Sequence, residues 1–371
     1  VRIAFVIPTL DRSGAEKQLT LLAMALPRAE FSPHVFALTR GGPYETDLRV
    51  AGVPVTVIGK RWKVDPWAWR RLHQALREFQ PHILHTWLFA AHAYGRWGLS
   101  RTARPRVIVS ERCVDSWKSA WQFWVDRHLL PVTDCVVGNS ASVVDFYRAR
   151  GIPAEKLCCI PNGVEIRDWN PQDRDRILRE LQLPADAFVI ASIGRLAIQK
   201  RVRDIIWAVE TIRHIRPQVR LLIIGDGPER TRLEEFARAV DCAAHALFLG
   251  HREDAARFWP AVDAFVLASS FEGQSNSLME AMAAGKAVIV SDIPPNRELV
   301  TPEETGLFAK AGDAVGIMQQ LRRLIDDPAL RQRLGAAAQT RMAQDFSVAA
   351  MVERYAALYR RLAGDAACRA T

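Results

Sequence analysis

The chain has 371 residues, 49% of them hydrophobic and 25% charged, with a formal net charge of +9 at neutral pH. That apolar content can bury a substantial core, and the length exceeds one ordinary domain, so two domains are expected. No run of about 18 apolar residues occurs, which argues against a membrane-spanning helix.

The opening VRIAFVIPTL is short, carries one Arg and leads into Pro8, so it reads as a core strand rather than a signal peptide. From there, apolar runs of strand length alternate with helix-period segments, the pattern of a parallel α/β architecture. The first half offers RIAFVIP, HVFALTR, VPVTVIG, HILHTW, RVIVSE, CVVGNS and KLCCIP, with helical stretches such as AEKQLTLLAMAL and PWAWRRLHQALREF between them. These runs are too apolar to have one wet face, as expected of strands covered on both sides.

A polar stretch, EIRDWNPQDRDR, follows IPNGV (160–164) and reads as a linker. The alternation then restarts with AFVIASIG, VRLLIIGDG, HALFLGHR, AFVLASS, KAVIVSD and TGLFAK. The boundaries expected are a first domain over 1–165, a second over 170–345, and a terminal helix over 346–371 packing back toward the first. Two doubly wound units joined by a linker predict a cleft, with ligands gathered at the carboxyl ends of the strands.

Charge and cysteine content add context. Residues 1–164 hold 22 Lys and Arg against 13 Asp and Glu, and eight of the eleven tryptophans, whereas the remainder is charge-balanced. A basic, Trp-rich half fits contact with an anionic surface, although scattered surface charge and buried Trp explain it equally well. The six cysteines (Cys113, Cys135, Cys158, Cys159, Cys242, Cys368) show no CxxC and no metal-ligand spacing, which fits reduced thiols in a cytoplasm-like compartment.

Three segments could carry chemistry. In ASIGRLAIQK, Arg195 leaves a strand end and Lys200 opens the next helix, so a guanidinium fork and a point charge can converge on one anion. In SSFEGQSNSLMEAMAAG, Glu272 lies in a loop, and Ser277 with Glu280 three residues later matches a capping box. The amides of Asn276, Ser277 and Leu278 at that helix N-terminus form a natural phosphate seat, beside which a carboxylate makes sense as a grip for sugar hydroxyls. In PTLDRSGAEKQL, Gly14 sits between strand and helix, where backbone can approach a ligand. The letters DRD at 173–175 mimic a metal-binding DxD, but no strand feeds them and they read as solvated charge.

Together these segments resemble the retaining glycosyltransferases of family four, over nearly the whole chain. The resemblance rests on the Gly14–Ala15–Glu16 turn, the Asn139–Ser140 pair, PNGV (161–164), GRLAIQK (194–200), IGDGPER (224–230), FLGHRED (248–254) and EGQSNSLMEAMAAG (272–285). It implies the GT-B fold, two facing Rossmann-like doubly wound parallel-sheet domains. It also implies that Arg195 and Lys200 neutralise the donor diphosphate, that Glu280 holds the donor ribose, and that Glu272 touches the donor sugar. The amides of Asn276 to Leu278 would cradle phosphate. Two departures stand out. Many members have Gly-Gly where this chain has Ser13–Gly14, and the sugar-contacting His of many members falls here on Arg112 or Glu111. His85 and His92 are the alternative candidates for the sugar and acceptor side.

The implied reaction moves a sugar from a nucleotide diphosphate, a UDP-sugar by expectation, to a glycan or lipid-linked acceptor in envelope or exopolysaccharide synthesis. The configuration would be retained, with neither metal nor other cofactor. The expected location is the cytoplasm, peripheral to the membrane through KRWKVDPWAWRR (60–71) and SWKSAWQFW (116–124). The competing readings are a UDP-sugar 2-epimerase on the same fold and a non-catalytic nucleotide-sugar or nucleic-acid binder. No nucleic-acid module is present, and the lack of GxGxxG disfavours a nicotinamide dehydrogenase.

Overall fold

A computed structural model describes residues 1–102, 104–115 and 118–367 of the chain. Cys368 and the Ser116–Trp117 part of the SWKSAWQFW stretch therefore lie outside the described residues. The chain forms two compact units, one of residues 1–163 with 348–371, the other of residues 164–347.

Unit 1 is built on seven strands: β1 (Arg2–Ile7), β2 (Ser32–Ala37), β3 (Val55–Val57), β4 (Ile83–Trp87), β5 (Arg106–Glu111), β6 (Cys135–Gly138) and β7 (Leu157–Cys159). The helices α1 (Gly14–Ala25), α2 (Pro43–Val50), α3 (Pro66–Phe79), α4 (Phe89–Arg96), α5 (Ala120–His128) and α6 (Ala141–Arg148) connect them. Every pairing is parallel, in the order β3-β2-β1-β4-β5-β6-β7. Parallel neighbours need crossover helices, and these cover both faces. One face packs Phe5, Leu19, Phe31 and Trp87, and the other packs Val6, Phe36, Leu72 and Leu84.

Unit 2 repeats the scheme with β8 (Phe188–Ile193), β9 (Val219–Ile224), β10 (Ala246–Gly250), β11 (Ala264–Leu267), β12 (Ala287–Ser291) and β13 (Leu307–Ala309). Its helices are α7 (Asp173–Glu180), α8 (Val202–Arg213), α9 (Arg230–Ala239), α10 (Asn276–Ala283), α11 (Pro294–Leu299), α12 (Ala314–Asp326) and α13 (Pro328–Asp345). The strand order is β10-β9-β8-β11-β12-β13, again parallel throughout. The DRD letters open α7, where Arg174 pairs with Asp263 at 3.1 Å.

The terminal helix α14 (Val348–Ala367) belongs to unit 1. Its Met351, Tyr355, Tyr359 and Leu362 recur at helical spacing and complete the core around Phe5, Phe31 and Trp87. The ring of Tyr359 meets those of Phe5 and Phe31 edge-on, with centroids 6.5 and 5.9 Å apart.

In unit 2, burial pushes the Lys286 ammonium down to about 8. A lysine depressed in the fold binds fewer protons than in the unfolded chain, so its contribution to stability rises with pH from about 8 toward 10.5. Lys286→Met should therefore raise stability to urea at pH 7, and the gain over wild type should shrink as pH is taken to 10. An unchanged or lower urea midpoint at pH 7 would contradict this.

Candidate active site

In a doubly wound sheet the ligand crevice lies where the strand order reverses, outside the carboxyl ends of the two strands flanking the break. In unit 2 those strands are β8 and β11, paired through Ala264–Ile190 and Phe265–Ala191. The loop after β8 carries Gly194, Arg195 and Lys200, and the loop after β11 carries Glu272 and leads to α10. The topology thus places both sequence motifs at the same break.

The two loops are joined. Lys200 Nζ lies 2.5 Å from Glu272 Oε1. Ser270 N–H donates to the Gln199 carbonyl at 2.9 Å, and Gln199 Nε2 donates to the Phe271 carbonyl at 3.1 Å. Glu272 is buried and Lys200 half-buried. Glu272, which in sequence is marked only by its place in a loop, is the counter-ion of Lys200. Lys200 itself lies in a 3-10 turn, Ile198–Lys200, and α8 begins at Val202 after Arg201 in a left-handed conformation. The ammonium has three donors, so pairing with Glu272 leaves it able to meet an anion as well. Arg195 is exposed, and among the described residues it is within ion-pair distance of no carboxylate.

The Arg195 loop lies directly on the loop after β9. Leu196 N–H donates to the Asp226 carbonyl at 2.9 Å, and Glu229 N–H donates to the Leu196 carbonyl at 3.0 Å. A Cβ on Gly225 would come within 1.9 Å of the Gly194 carbonyl oxygen, and one on Gly227 within 2.4 Å of that of Leu196. The glycines of GDGPER are thus required by close backbone approach, not only by a turn.

Helix α10 begins at Asn276 with Ser275 as its N-cap, whose Oγ accepts from the Leu278 N–H at 3.5 Å. The capping box expected from Ser277 and Glu280 is therefore displaced. Ser277 is already inside the first turn, with its Oγ 3.2 Å from that of Ser275. Asn276 and Ser277 are half-buried, Leu278 is buried, and Glu280 is half-buried in the second turn. The loop root is fixed from below, where Ser291 Oγ donates to the Ser269 carbonyl at 2.6 Å and Asn296 Nδ2 donates to the Ser291 carbonyl at 2.8 Å. Those side chains come from β12 and α11, and no local motif marks them.

In unit 1 the order reverses between β1 and β4. Gly14 is exposed at the first position of α1, after Ser13. Glu16 turns inward, accepting from Ser13 Oγ and from Thr9 Oγ1 at 3.3 Å, and burial raises its pKa. Gln18 grips both backbone groups of Gly163, accepting its N–H at 2.8 Å and donating to its carbonyl at 2.9 Å.

The histidine candidates are core residues. His85 is fully buried, with Nδ1 2.8 Å from Tyr359 Oη and Nε2 2.7 Å from Ser110 Oγ. Burial holds its pKa well below the ordinary value, so the ring is neutral and both nitrogens are spent. His92 is also fully buried, with Nδ1 2.9 Å from Thr86 Oγ1. Neither has a face to offer a sugar.

Glu111 is closed off too. Its carboxylate lies 3.0 Å from Lys118 Nζ, which also sits 3.3 Å from Asp115 and 3.4 Å from Asp126. Burial would raise the Glu111 pKa, but the Lys118 charge and then His92 hold it well below the usual carboxylate range. Asp115, buried and beside the Glu111 charge, is pushed up to about 6. Arg112 is the candidate that reaches the sheet end half-buried, its guanidinium 4.6 Å from the Trp87 ring centroid.

Residues 12–168 match the family described as Glycosyltransferase Family 4, and residues 173–341 match glycosyl transferases group 1. A lipopolysaccharide core biosynthesis glycosyltransferase, LpsD of Rhizobium meliloti, is 31% identical over 78% of this chain and 78% of its own length. The chain belongs to glycosyltransferase family 4. A GDP-mannose-dependent alpha-mannosyltransferase of Mycobacterium tuberculosis is 30% identical over 66% of the chain and 64% of its own length. Among solved structures, Anabaena HepE in complex with UDP-glucose superposes with a TM-score of 0.87 at 22% identity, over 97% of this chain and 99% of that one. The lipopolysaccharide outer core galactosyltransferase WaaB does so at 0.71 and 17% identity, over 97% and 100%. The two parallel-sheet units are thus the GT-B fold of this transferase family.

The buried carboxylates of unit 1 make one pairing testable. Lys118→Met would leave Glu111 and Asp115 facing each other without their cation, while Asp126 keeps Arg96. Breaking such a buried pair costs about 3–5 kcal/mol. The loss should be largest at pH 7 and above and shrink as pH falls through about 6, where Asp115 takes up its proton, and further as Glu111 follows, read as urea midpoints across pH. A loss below about 1 kcal/mol at pH 7 would show that the cluster is not charged as described.

Proposed function

We propose that this transferase moves a sugar from a UDP-sugar to a hydroxyl of a glycan or lipid-linked acceptor, with retained anomeric configuration and without a metal. The observation that carries the reading is the Lys200–Glu272 pair, set with Arg195 at the break between β8 and β11. The diphosphate is the leaving group, and its growing charge needs preorganised positive groups. Arg195, the free donors of Lys200 and the first-turn amides of α10 supply them. Glu272, already oriented by Lys200, then accepts from a hydroxyl of the donor sugar, and Glu280 from the ribose. No side chain is assigned as a covalent nucleophile. The acceptor oxygen attacks from the face the phosphate leaves, and the departing phosphate takes its proton.

The relatives' names support an envelope-glycan acceptor, and HepE was solved with UDP-glucose. Unit 1 supplies a surface for a lipid-linked one. Trp62, Trp67, Trp121 and Trp124 are each 60–65% exposed, beside Arg and Lys, as in segments that sit at a bilayer interface.

Four measurements test the reading. Lys200→Ala should lower kcat about 100- to 1,000-fold with the fold intact, the usual loss for one electrostatic stabiliser of a transition state. Wild-type turnover in that variant would end the assignment. Excess EDTA should leave turnover unchanged, and the anomeric proton coupling of the product should match that of the donor. Binding to anionic vesicles should fall when Trp62 and Trp67 are replaced by Ser. Absence of vesicle binding by wild type at low salt would remove the membrane part alone.

A further inference from the structure

At the carboxyl end of the unit 1 sheet, Arg112 is held, among the described residues, by neutral groups only. Its guanidinium lies over the Trp87 ring and donates to Asn162 Oδ1 and, at 3.4 Å, to Tyr355 Oη. Its carbonyl accepts from Asn139 Nδ2 at 3.2 Å. Among the described residues no carboxylate lies within ion-pair distance of it. The buried cations of the same unit each have one: Arg96 has Asp126 at 2.6 Å, Arg106 has Asp134 at 3.1 Å and Lys118 has Glu111 at 3.0 Å. A cation partly withdrawn from water without a counter-ion, as the half-buried Arg112 is, carries a cost that an arriving anion removes.

Two polar atoms beside it also lack partners. Among the described residues, Trp87 Nε1, in the fully buried ring under Arg112, has no acceptor, and Asn139 Oδ1, also buried, has no donor. Trp87 ends β4, Arg112 follows β5 and Asn139 follows β6, three adjacent strands of the sheet. The guanidinium has five N–H donors, more than its two hydrogen bonds consume, and a carboxylate or phosphate can take two of them in parallel. The indole N–H is a further unspent donor beside the guanidinium, and the Asn139 oxygen an unspent acceptor, able to accept from a hydroxyl.

We propose that Arg112, Trp87 Nε1 and Asn139 Oδ1 form a binding site for an anionic sugar, a carboxylate or phosphate group with a neighbouring hydroxyl. The proposal deepens the transferase reading and rests on it for the anion's being part of a substrate. The group belongs either to the transferred sugar of the donor or to the acceptor.

Saturation-transfer NMR titrations of the full chain with glucuronate, glucose 6-phosphate and glucose, at constant ionic strength, test the site without any turnover. The two anions should bind and glucose should not. Arg112→Gln should weaken anion binding at least tenfold, and Trp87→Phe, which keeps the ring and removes the N–H, should weaken it less, while both variants keep UDP binding. If Arg112→Gln does not fold, Trp87→Phe and Arg112→Lys decide. Equal binding of glucose and glucuronate, or anion binding unmoved in the folded variants, overturns the proposal.

Turnover then distinguishes the sources. A preference for UDP-glucuronate over UDP-glucose that is lost in Arg112→Gln assigns the anion to the donor. A KM increase confined to acidic acceptors assigns it to the acceptor. Transfer between neutral sugars with no anion preference would sink the site and leave the transferase, whereas anion binding without hydrolysis or transfer from any nucleotide-sugar would do the reverse.

Discussion

The parallel pairing of β8 with β11 is the constraint on which unit 2 depends. These strands are 70 or more residues apart in the chain, and each must send its successor outward across a different half of the sheet. The gap between their exits is where backbone is left over, and two loops meet there. Lys200 and Glu272 close that meeting with a charge pair, and the hydrogen bonds of Gln199 stitch it. The remaining features serve to hold those loops: the glycines after β9 let one lie flat, and Ser291 with Asn296 fixes the root of the other.

Most of this architecture was legible because strands covered on both faces must be apolar along their length. All thirteen strands coincide with apolar runs in the sequence, including the three-residue β3, β7 and β13. Helix starts were less legible. The spacing of Ser277 and Glu280 fits a capping box locally, but Ser275 takes the cap because the chain leaving β11 turns there. The pairing of Lys200 with Glu272 could not be read at all. Periodicity shows that strands exist, not which strands lie side by side, and the pair depends on that order.

Unit 1 shows the same limit from the opposite side. His85 sits in an unbroken apolar run, and in sequence it could as well face a ligand as the core. What decides is Tyr359, 274 residues away, whose hydroxyl takes one ring nitrogen. Glu111 and His92 are likewise absorbed by partners on other elements. Arg112, one position past the strand, escapes that network. A buried ion cluster and, among the described residues, a cation without a carboxylate therefore begin on two consecutive residues, Glu111 and Arg112.

The return of α14 to unit 1 governs the order in which this chain can fold. Tyr355 and Tyr359 are core residues packed with Phe5, Phe31 and Trp87 of the earlier segment, and all of unit 2 is made in between. The first 163 residues must wait with part of their hydrophobic layer uncovered, whereas residues 164–347 hold a complete core of their own. Unit 2 can thus mature while the ribosome is still working, and unit 1 closes last. Over that interval Phe5, Phe31 and Trp87 lack the cover of Tyr355 and Tyr359, and apolar surface left uncovered in this way is what makes folding intermediates prone to association.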